Sequence, residues 1–170
     1  MKIRLAAPVT KDSIVDGPGL RMVIWTQGCP HRCKGCHNPQ THRFDGGFET
    51  EVDDIIEQMK NLKLHRGITI SGGEPLEQPE ACREIAEAAK NMGLDVWVYT
   101  GYTFEAILDR SESDKRPWAE LLKVVDVIID GPFILEKKNM LLRFRGSENQ
   151  RIIDVSESLK NKKVILYNNL

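Results

Sequence analysis

Four strand-length runs of β-branched and aromatic residues most constrain how this chain can fold. They lie at 20–26, 67–71, 94–100 and 124–130. Stretches with apolar residues at helical spacing lie between these runs, at 52–62, 79–92, 104–110 and 118–122. Strands that alternate with helices are typical of a parallel sheet joined by right-handed crossovers. The sequence therefore predicts an α/β fold.

The ends of several elements are also readable. Thr50 is a candidate N-cap for the helix at 52–62, Gly93 would close the helix at 79–92, and 163–167 would form the last strand. The chain has 170 residues, whereas a closed eightfold barrel typically needs about 250. We therefore expect one domain over residues 1–170 with fewer than eight strand–helix units.

Composition excludes two broad classes of protein. The chain carries 24 basic and 25 acidic residues, a net charge of −1, whereas a general nucleic-acid binder shows a strong basic excess. No apolar run reaches the length that crosses a membrane. We expect a soluble, cytoplasmic protein that binds neither nucleic acid nor membrane.

Each predicted strand is followed by a polar or glycine-rich segment. These segments are the cysteine-rich run 29–36, the Ser-Gly-Gly-Glu-Pro run 71–75, Thr-Gly-Tyr at 100–102 and Asp-Gly-Pro-Phe at 130–133. In parallel α/β folds, loops that leave the carboxyl ends of successive strands build one site. The four segments therefore predict a single pocket.

Cys29, Cys33 and Cys36 define the chemistry expected in that pocket. Three thiolates at this spacing can hold three irons of a four-iron, four-sulfur cluster and leave the fourth iron without a protein ligand. The same cysteines with a nearby histidine, from His31, His37 or His42, could instead form a structural zinc site. The fourth cysteine, Cys82, lies in a predicted helix, where a buried thiol serves as a small apolar residue.

Several motifs together resemble a known family. The segment 15–21, the cysteine run followed by His37-Asn38, and Gly72-Gly73-Glu74-Pro75 are similar to the radical S-adenosylmethionine (SAM) enzymes that install glycyl radicals. Within that superfamily, the motifs at 100–102, 130–133 and 145–154 resemble the activators of anaerobic ribonucleoside-triphosphate reductase. The resemblance spans roughly residues 12–156, and it favours the iron–sulfur cluster over zinc.

The resemblance implies a truncated, open parallel (β/α) barrel of the radical SAM type and a set of site residues. Cys29, Cys33 and Cys36 would bind the [4Fe-4S] cluster, and SAM would bind the open iron. The residues that it assigns to SAM are Gly35, Cys36, His37, Gly72, Gly73, Glu74, Thr100 and Asp130. Four of these assignments have alternatives. Glu74 could instead cap the following helix, and His37 could support the site without touching adenine. Thr100 and Asp130 could be ordinary turn residues at strand ends. Many relatives carry an aromatic residue where this chain has Gly35, so backbone would do more of the adenine recognition.

The implied reaction is cleavage of SAM to a 5′-deoxyadenosyl radical, which then removes the α-hydrogen of a glycine in the large reductase subunit. A flavodoxin-like or ferredoxin-like protein would supply the electron. Two alternatives within the superfamily are activation of another glycyl radical enzyme, such as pyruvate formate-lyase, and small-molecule chemistry in deazapurine biosynthesis. The Asp16–Gly19 turn would shape the mouth of the pocket, and part of the basic stretch that includes Arg143, Arg145 and Arg151 would dock the reductase.

Overall fold

An eight-stranded mixed sheet forms the frame of the molecule in this computed structural model, which describes residues 1–170. The strands are β1 (Lys2–Leu5), β2 (Thr10–Ser13), β3 (Arg21–Thr26), β4 (Phe48–Glu51), β5 (Gly67–Gly72), β6 (Asp95–Tyr99), β7 (Val127–Asp130) and β8 (Arg151–Asp154). The helices are α1 (Val52–Lys60), α2 (Pro79–Asn91), α3 (Phe104–Ser113), α4 (Trp118–Leu122) and α5 (Val155–Asn161). The spatial order is β4-β1-β3-β5-β6-β7-β8, and β2 also pairs with β3.

The four strands predicted from the sequence form the parallel centre of this sheet. β3 pairs with β5, β5 with β6, and β6 with β7, all in parallel. The predicted run 124–130 begins three residues too early, because Val124 and Val125 still hydrogen-bond to the end of α4. The α/β prediction with a parallel-rich sheet is confirmed.

The outer strands were not predicted, and they are antiparallel. β1 pairs with β3 and β4, β2 pairs with β3, and β8 pairs with β7. β2 and β4 are only four residues long and rich in charged or hydroxyl side chains, so they give no clear apolar pattern. β1 is equally short, but it alternates polar side chains with the buried Ile3 and Leu5, so a strand signal was present there. The parallel crossovers therefore account for only the middle of the sheet.

One predicted helix cap and one predicted strand are wrong. Thr50 is not an N-cap, because it lies within β4 opposite Ile3, and the N-cap position of α1 belongs to Glu51. Residues 163–167 do not form a strand, since only Leu166 pairs with Ile153 in an isolated bridge. The edge position next to β7 is taken by β8 instead.

The two faces of the sheet are covered differently. The main core of 27 buried residues packs α1, α2 and α4 against one face, to which β6 contributes Val96 and Val98. The alternate residue Trp97 points to the other face, where a smaller cluster includes Val127 and Ile129 of β7. No helix of the chain has the length and apolar character needed to cross a membrane.

Arg21 joins this frame to the turn that follows β2. Its side chain is 0% exposed and donates to the Pro18 carbonyl at 3.0 Å and to the Thr69 hydroxyl at 2.8 Å. It also forms an ion pair with Asp95, and its guanidinium lies 5.5 Å from the Trp97 ring centroid. The buried Arg21 side chain therefore fixes the turn at 16–19 to the sheet.

Replacing Arg21 with methionine should lower the free energy of unfolding by about 3 kcal/mol, because it removes the buried donor to Asp95 Oδ1 and to the Pro18 and Ile68 carbonyls. Urea denaturation of the metal-free protein measures this. Arg43→Met is the matched control, since Arg43 pairs with Asp45 at a fully exposed site and should leave the free energy of unfolding essentially unchanged. Equal losses in the two variants would contradict the anchoring role of Arg21.

Candidate functional site

A cavity of about 450 Å³ opens where the four parallel strands end. Its walls come from the turn after β2, the cysteine loop after β3, the ends of β5 and β6, the turn after β7, and the segment that leads to β8. The predicted site residues that line it are Cys29, Cys33, Cys36, His37, Gly72, Gly73 and Thr100. The expectation that the strand-end segments meet in one pocket is therefore met.

Main-chain hydrogen bonds fix both ends of the cysteine loop. The Gly28 N–H donates to the Thr41 carbonyl at 2.7 Å, and the Cys29 N–H donates to the His42 carbonyl at 3.1 Å. Between these anchors and Asn38, Arg32 and Gly35 adopt positive φ angles of 50° and 78°. Two left-handed residues within eight positions wrap the loop tightly, so that all three cysteine side chains reach the cavity wall.

The three loop cysteines are half-buried free thiols. Burial raises the pKa of the Cys29 thiol to about 11, and the nearby Glu74 carboxylate adds to the shift. A metal that binds Cys29 must therefore displace its proton. Cys82 is different, since it is fully buried in α2, contacts the Pro75 carbonyl at 3.5 Å, and lies outside the cavity lining.

The arrangement of donor groups bears on the choice between a cluster and a zinc ion. Sulfurs about 2.3 Å from one zinc lie about 3.8 Å from each other in a tetrahedron. No three His, Cys, Asp or Glu side chains converge closely enough to hold a single ion. In a cubic cluster each thiolate binds a different iron, which spreads the sulfurs apart. The three cysteines that reach the cavity wall thus provide one thiolate for each of three irons of such a cluster.

Glu74 is the buried centre of the hydrogen bonds around the cavity. Its carboxylate, which is 0% exposed, accepts from the Thr100 hydroxyl at 2.9 Å and from the Gly101 N–H at 2.8 Å. It lies 2.6 Å from His31 Nε2 and accepts from the Leu76 N–H at 3.0 Å, which caps the short 3-10 helix Pro75–Glu77. The capping alternative therefore describes one of its contacts, and the carboxylate also ties the cysteine loop to the end of β6.

Three glycines permit these segments to approach one another. A Cβ at Gly72 would lie 2.4 Å from the Thr26 main chain, and one at Gly73 would lie 2.5 Å from the Gly28 carbonyl. At Gly101, which the sequence did not single out, a Cβ would lie 2.4 Å from the His31 ring. A side chain at Gly73 or Gly101 would push the start of the cysteine loop away from the strand ends, and one at Gly72 would collide with the main chain of β3.

Asp130, Gly35 and Glu74 are the predicted SAM-binding residues that do not line the cavity. Asp130 is buried at the end of β7, where its carboxylate accepts from the Phe104 N–H at 2.8 Å and pairs with Arg151. A Cβ at Gly35 would lie 2.9 Å from the Leu135 side chain. Contacts of these residues with SAM stay predictions, and the structure gives each of them a packing role of its own.

Aromatic residues after the strand ends complete the site, and sequence reasoning gave none of them a role. The Phe133 ring lies 5.4 Å from the His37 ring, and the Tyr102 ring meets His31 edge-on at 4.5 Å. Phe144 lines the cavity with a positive φ of 60°. Tyr102 and Phe133 fall inside the strand-end motifs. Their position just after a buried strand could therefore have indicated that they belong to the site.

The basic stretch near the carboxyl end of the chain divides into groups with different surroundings. Arg151 is held between Asp130 and Glu105, and these two hydrogen-bonded carboxylates raise its pKa. Arg145 lines the cavity, and its Nε atom is buried without a partner. Arg143 is exposed. The stretch is therefore not one continuous docking surface.

Comparison with known proteins first defines the class. Residues 15–153 match the family model of the 4Fe-4S single cluster domain. This range contains the cysteine loop and every segment that lines the cavity. The chain is therefore an α/β protein with a 4Fe-4S single cluster domain.

Curated relatives define the family more narrowly. The chain is 34% identical to the anaerobic ribonucleoside-triphosphate reductase-activating protein of Salmonella typhi over 146 residues, which is 81% of this chain and 90% of that protein. The proteins with the same name from Escherichia coli K12 and from bacteriophage T4 are 33% and 36% identical and cover 81% of this chain, with 90% and 86% of their own lengths matched. The chain belongs to the family of anaerobic ribonucleoside-triphosphate reductase-activating proteins.

A more distant likeness is found among solved structures. QueE from Escherichia coli superimposes with a TM-score of 0.47 and 16% identity, over 60% of this chain and 53% of that one. At that distance the likeness is too weak to bear on the site or its substrate.

Replacing Glu74 with glutamine should lower the free energy of unfolding by about 2 kcal/mol. The carboxylate now accepts hydrogen bonds from the Leu76 and Gly101 N–H groups, and in glutamine the amide nitrogen would face one of these buried donors instead. Urea denaturation of the metal-free protein gives the value. Glu87→Gln on the surface of α2 loses only an exposed ion pair with Arg83 and should cost less than about 0.5 kcal/mol. A Glu74→Gln protein as stable as this control would show that the carboxylate does not hold the loop.

Proposed function

We propose that this chain is an iron–sulfur radical SAM enzyme that activates anaerobic ribonucleoside-triphosphate reductase. In the proposed reaction one electron cleaves SAM to methionine and a 5′-deoxyadenosyl radical, which takes the α-hydrogen of a partner glycine and leaves a glycyl radical. The observation that carries the proposal is the presence of three cysteines, and no fourth, along one wall of a single cavity in a chain of this family.

Cys29, Cys33 and Cys36 are the proposed ligands of a [4Fe-4S] cluster. When bound and reduced, such a cluster supplies the electron that breaks the sulfonium, and its unligated iron gives SAM a place to coordinate. The protein contributes position, because the loop is fixed at both ends by main-chain hydrogen bonds and at His31 by Glu74. A fixed loop would hold the three cysteine ligands against the cavity in which SAM would bind.

The proposed SAM contacts divide between direct and supporting residues. The glycines at 72 and 73 present main chain to the methionine part, and Thr100 lies at the cavity wall within reach of the same molecule. His37 with Phe133, next to Gly35 and Cys36, forms the part of the wall suited to adenine, because each of the two rings, tilted by 44° to one another, offers an aromatic face for stacking. We assign supporting roles to Glu74 and Asp130, since their carboxylate oxygens already accept several hydrogen bonds each.

We further propose that the sheet is one side of a truncated, open (β/α) barrel that forms a single radical SAM domain over 1–170. The parallel strands carry helices on one face, and the cavity lies against the other, where Trp25 and Tyr99 contribute to its wall. An open side suits a substrate that is a loop of another protein. Partial enclosure also protects a reactive radical from solvent.

The proposed partners are the large reductase subunit and an electron donor of the flavodoxin or ferredoxin type. The cytoplasm suits this chemistry, because its reducing conditions keep cysteine thiols free for metal binding. Relatives that carry the reductase-activating name over most of their length support this choice of substrate.

Anaerobic reconstitution with iron and sulfide, followed by reduction and addition of SAM, tests the reaction. We expect 5′-deoxyadenosine from SAM, and a glycyl-radical doublet by electron paramagnetic resonance once the reductase subunit is added. A doublet formed on pyruvate formate-lyase and not on the reductase would change the substrate assignment. Loaded protein that forms no 5′-deoxyadenosine would overturn the proposal.

Changing Cys29, Cys33 or Cys36 singly to alanine should abolish 5′-deoxyadenosine formation and lower the bound iron, because each removes one of three cluster ligands. Cys82→Ala is the matched control, since Cys82 is the only cysteine outside the cavity wall. It should keep the iron content and cleavage activity of the unaltered protein. Full cleavage activity in Cys33→Ala would refute the ligand assignment.

A further inference from the structure

The segment 138–147, here called the rim loop, has a fixed base beside the cavity. Lys138 pairs with Ser147 in an isolated bridge, and the Asn139 N–H donates to the Gly146 carbonyl at 3.2 Å. From the sheet, the Tyr99 hydroxyl donates to the Phe144 carbonyl at 2.6 Å. A loop tied in this way presents its tip in a defined position, so binding there would cost little ordering entropy.

The tip of the rim loop exposes large apolar side chains. Met140 is 86% exposed and Leu141 is 92% exposed, while the next residue, Leu142, lines the cavity. In the turn after β2, Ile14 is 74% exposed, and Val15, at 72%, also lines the cavity. The exposed pair Met140 and Leu141 thus lies next to the cavity wall through Leu142. The exposed pair Ile14 and Val15 reaches the same wall through Val15.

These side chains are not covered by anything that binds inside the cavity. Met140, Leu141 and Ile14 are absent from the cavity wall, so a small ligand would leave them in water. Contiguous exposed apolar side chains around a pocket mark an interaction surface. The occupant must therefore be large enough to reach across the mouth.

The charges around the rim loop restrict what that occupant can be. Residues 136–148 carry four basic and two acidic side chains, a net charge of +2, in a chain whose net charge is −1. A second copy of this chain in a two-fold dimer would bring this surface against itself and oppose like charges. A partner surface with an apolar centre and carboxylates at its border would complement the rim loop.

We propose that Ile14, Val15, Met140 and Leu141 form a docking surface for the protein substrate, next to its glycine-bearing loop. The substrate surface that fits is apolar, with an acidic border where it faces the rim loop. This inference rests on the proposed function and adds where the protein substrate is held. The rim loop would bind the substrate outside the cavity, while the glycine enters past Val15 and Leu142.

Leu141→Glu and Met140→Glu test the docking surface, because each replaces an apolar contact with a charge that repels an acidic border. In holoenzyme titrated with the reductase subunit, each variant should raise the concentration needed for half-maximal glycyl radical by about tenfold or more. Formation of 5′-deoxyadenosine without the reductase should stay at the level of the unaltered enzyme. Leu141→Met, which keeps an apolar side chain, should restore the original concentration dependence.

Leu64→Glu is the matched control. Leu64 is 87% exposed, but it precedes β5 at the amino end of the sheet, away from the cavity. Unchanged concentration dependence in Leu141→Glu and Met140→Glu, or an equal loss in Leu64→Glu, would overturn the docking surface. Sedimentation that shows a dimer of the unaltered chain, dissociated by Leu141→Glu, would overturn it in favour of self-association.

Direct binding measurements separate this inference from the proposed function. Anaerobic calorimetry with the reductase subunit reports docking without any radical step. Binding that Leu141→Glu weakens, in a system that forms no glycyl radical, would support the docking surface and refute the proposed reaction. Radical formation with equal binding of all variants would support the reaction and refute the docking surface.

Discussion

The buried carboxylate of Glu74 joins the parts of the structure on which the site depends. It accepts hydrogen bonds from the end of β6 and from the start of the 3-10 helix after β5, and it meets His31 in the cysteine loop. A buried carboxylate is costly unless its oxygens are well partnered. Because those partners come from three separate segments, the cost is offset only when the loop and the strand ends are assembled together.

The sheet determines where this assembly happens. Parallel pairing of β3, β5, β6 and β7 brings four carboxyl ends to one edge, and helices cover one face, so the connecting segments meet around the other. Glycines at 72, 73 and 101 let the segments touch without side chains between them. The cysteine side chains then share a cavity with the aromatic and basic side chains of the later strand ends. Fold and site are two consequences of the same strand pairing.

Much of this architecture could be predicted from sequence, because buried parallel strands are continuous runs of Ile, Val and aromatic residues. β3 and β5 match the predicted runs within one residue at each end. β2 and β4 could not be predicted, since they are short, partly exposed and polar, and only tertiary pairing makes them strands. β1 was missed although its four residues alternate polar and buried apolar side chains. Residues 163–167 were wrongly predicted for the opposite reason, since their apolar pattern is strand-like but they form only an isolated bridge and two main-chain hydrogen bonds along β8.

The sequence predicted which residues belong to the site better than it predicted the contacts that those residues make. Sequence spacing and motif resemblance brought the three cysteines and Thr100 to one pocket, as the structure has them. They did not indicate that Glu74 binds His31 or that Asp130 pairs with Arg151, because such contacts join residues 43 and 21 positions apart through the folded sheet. Side-chain partners of buried carboxylates depend on register and packing, which a sequence pattern does not specify.

In the proposed site, the cysteine loop holds a cluster with one iron open to SAM. Mössbauer spectroscopy of reconstituted, iron-57-labelled protein tests this arrangement most directly, with spectra recorded before and after SAM is added. One iron of the four should change its signal when SAM binds, and the other three should keep theirs. A spectrum in which no iron responds to SAM, or in which the metal is not a four-iron cluster, would contradict the proposed site.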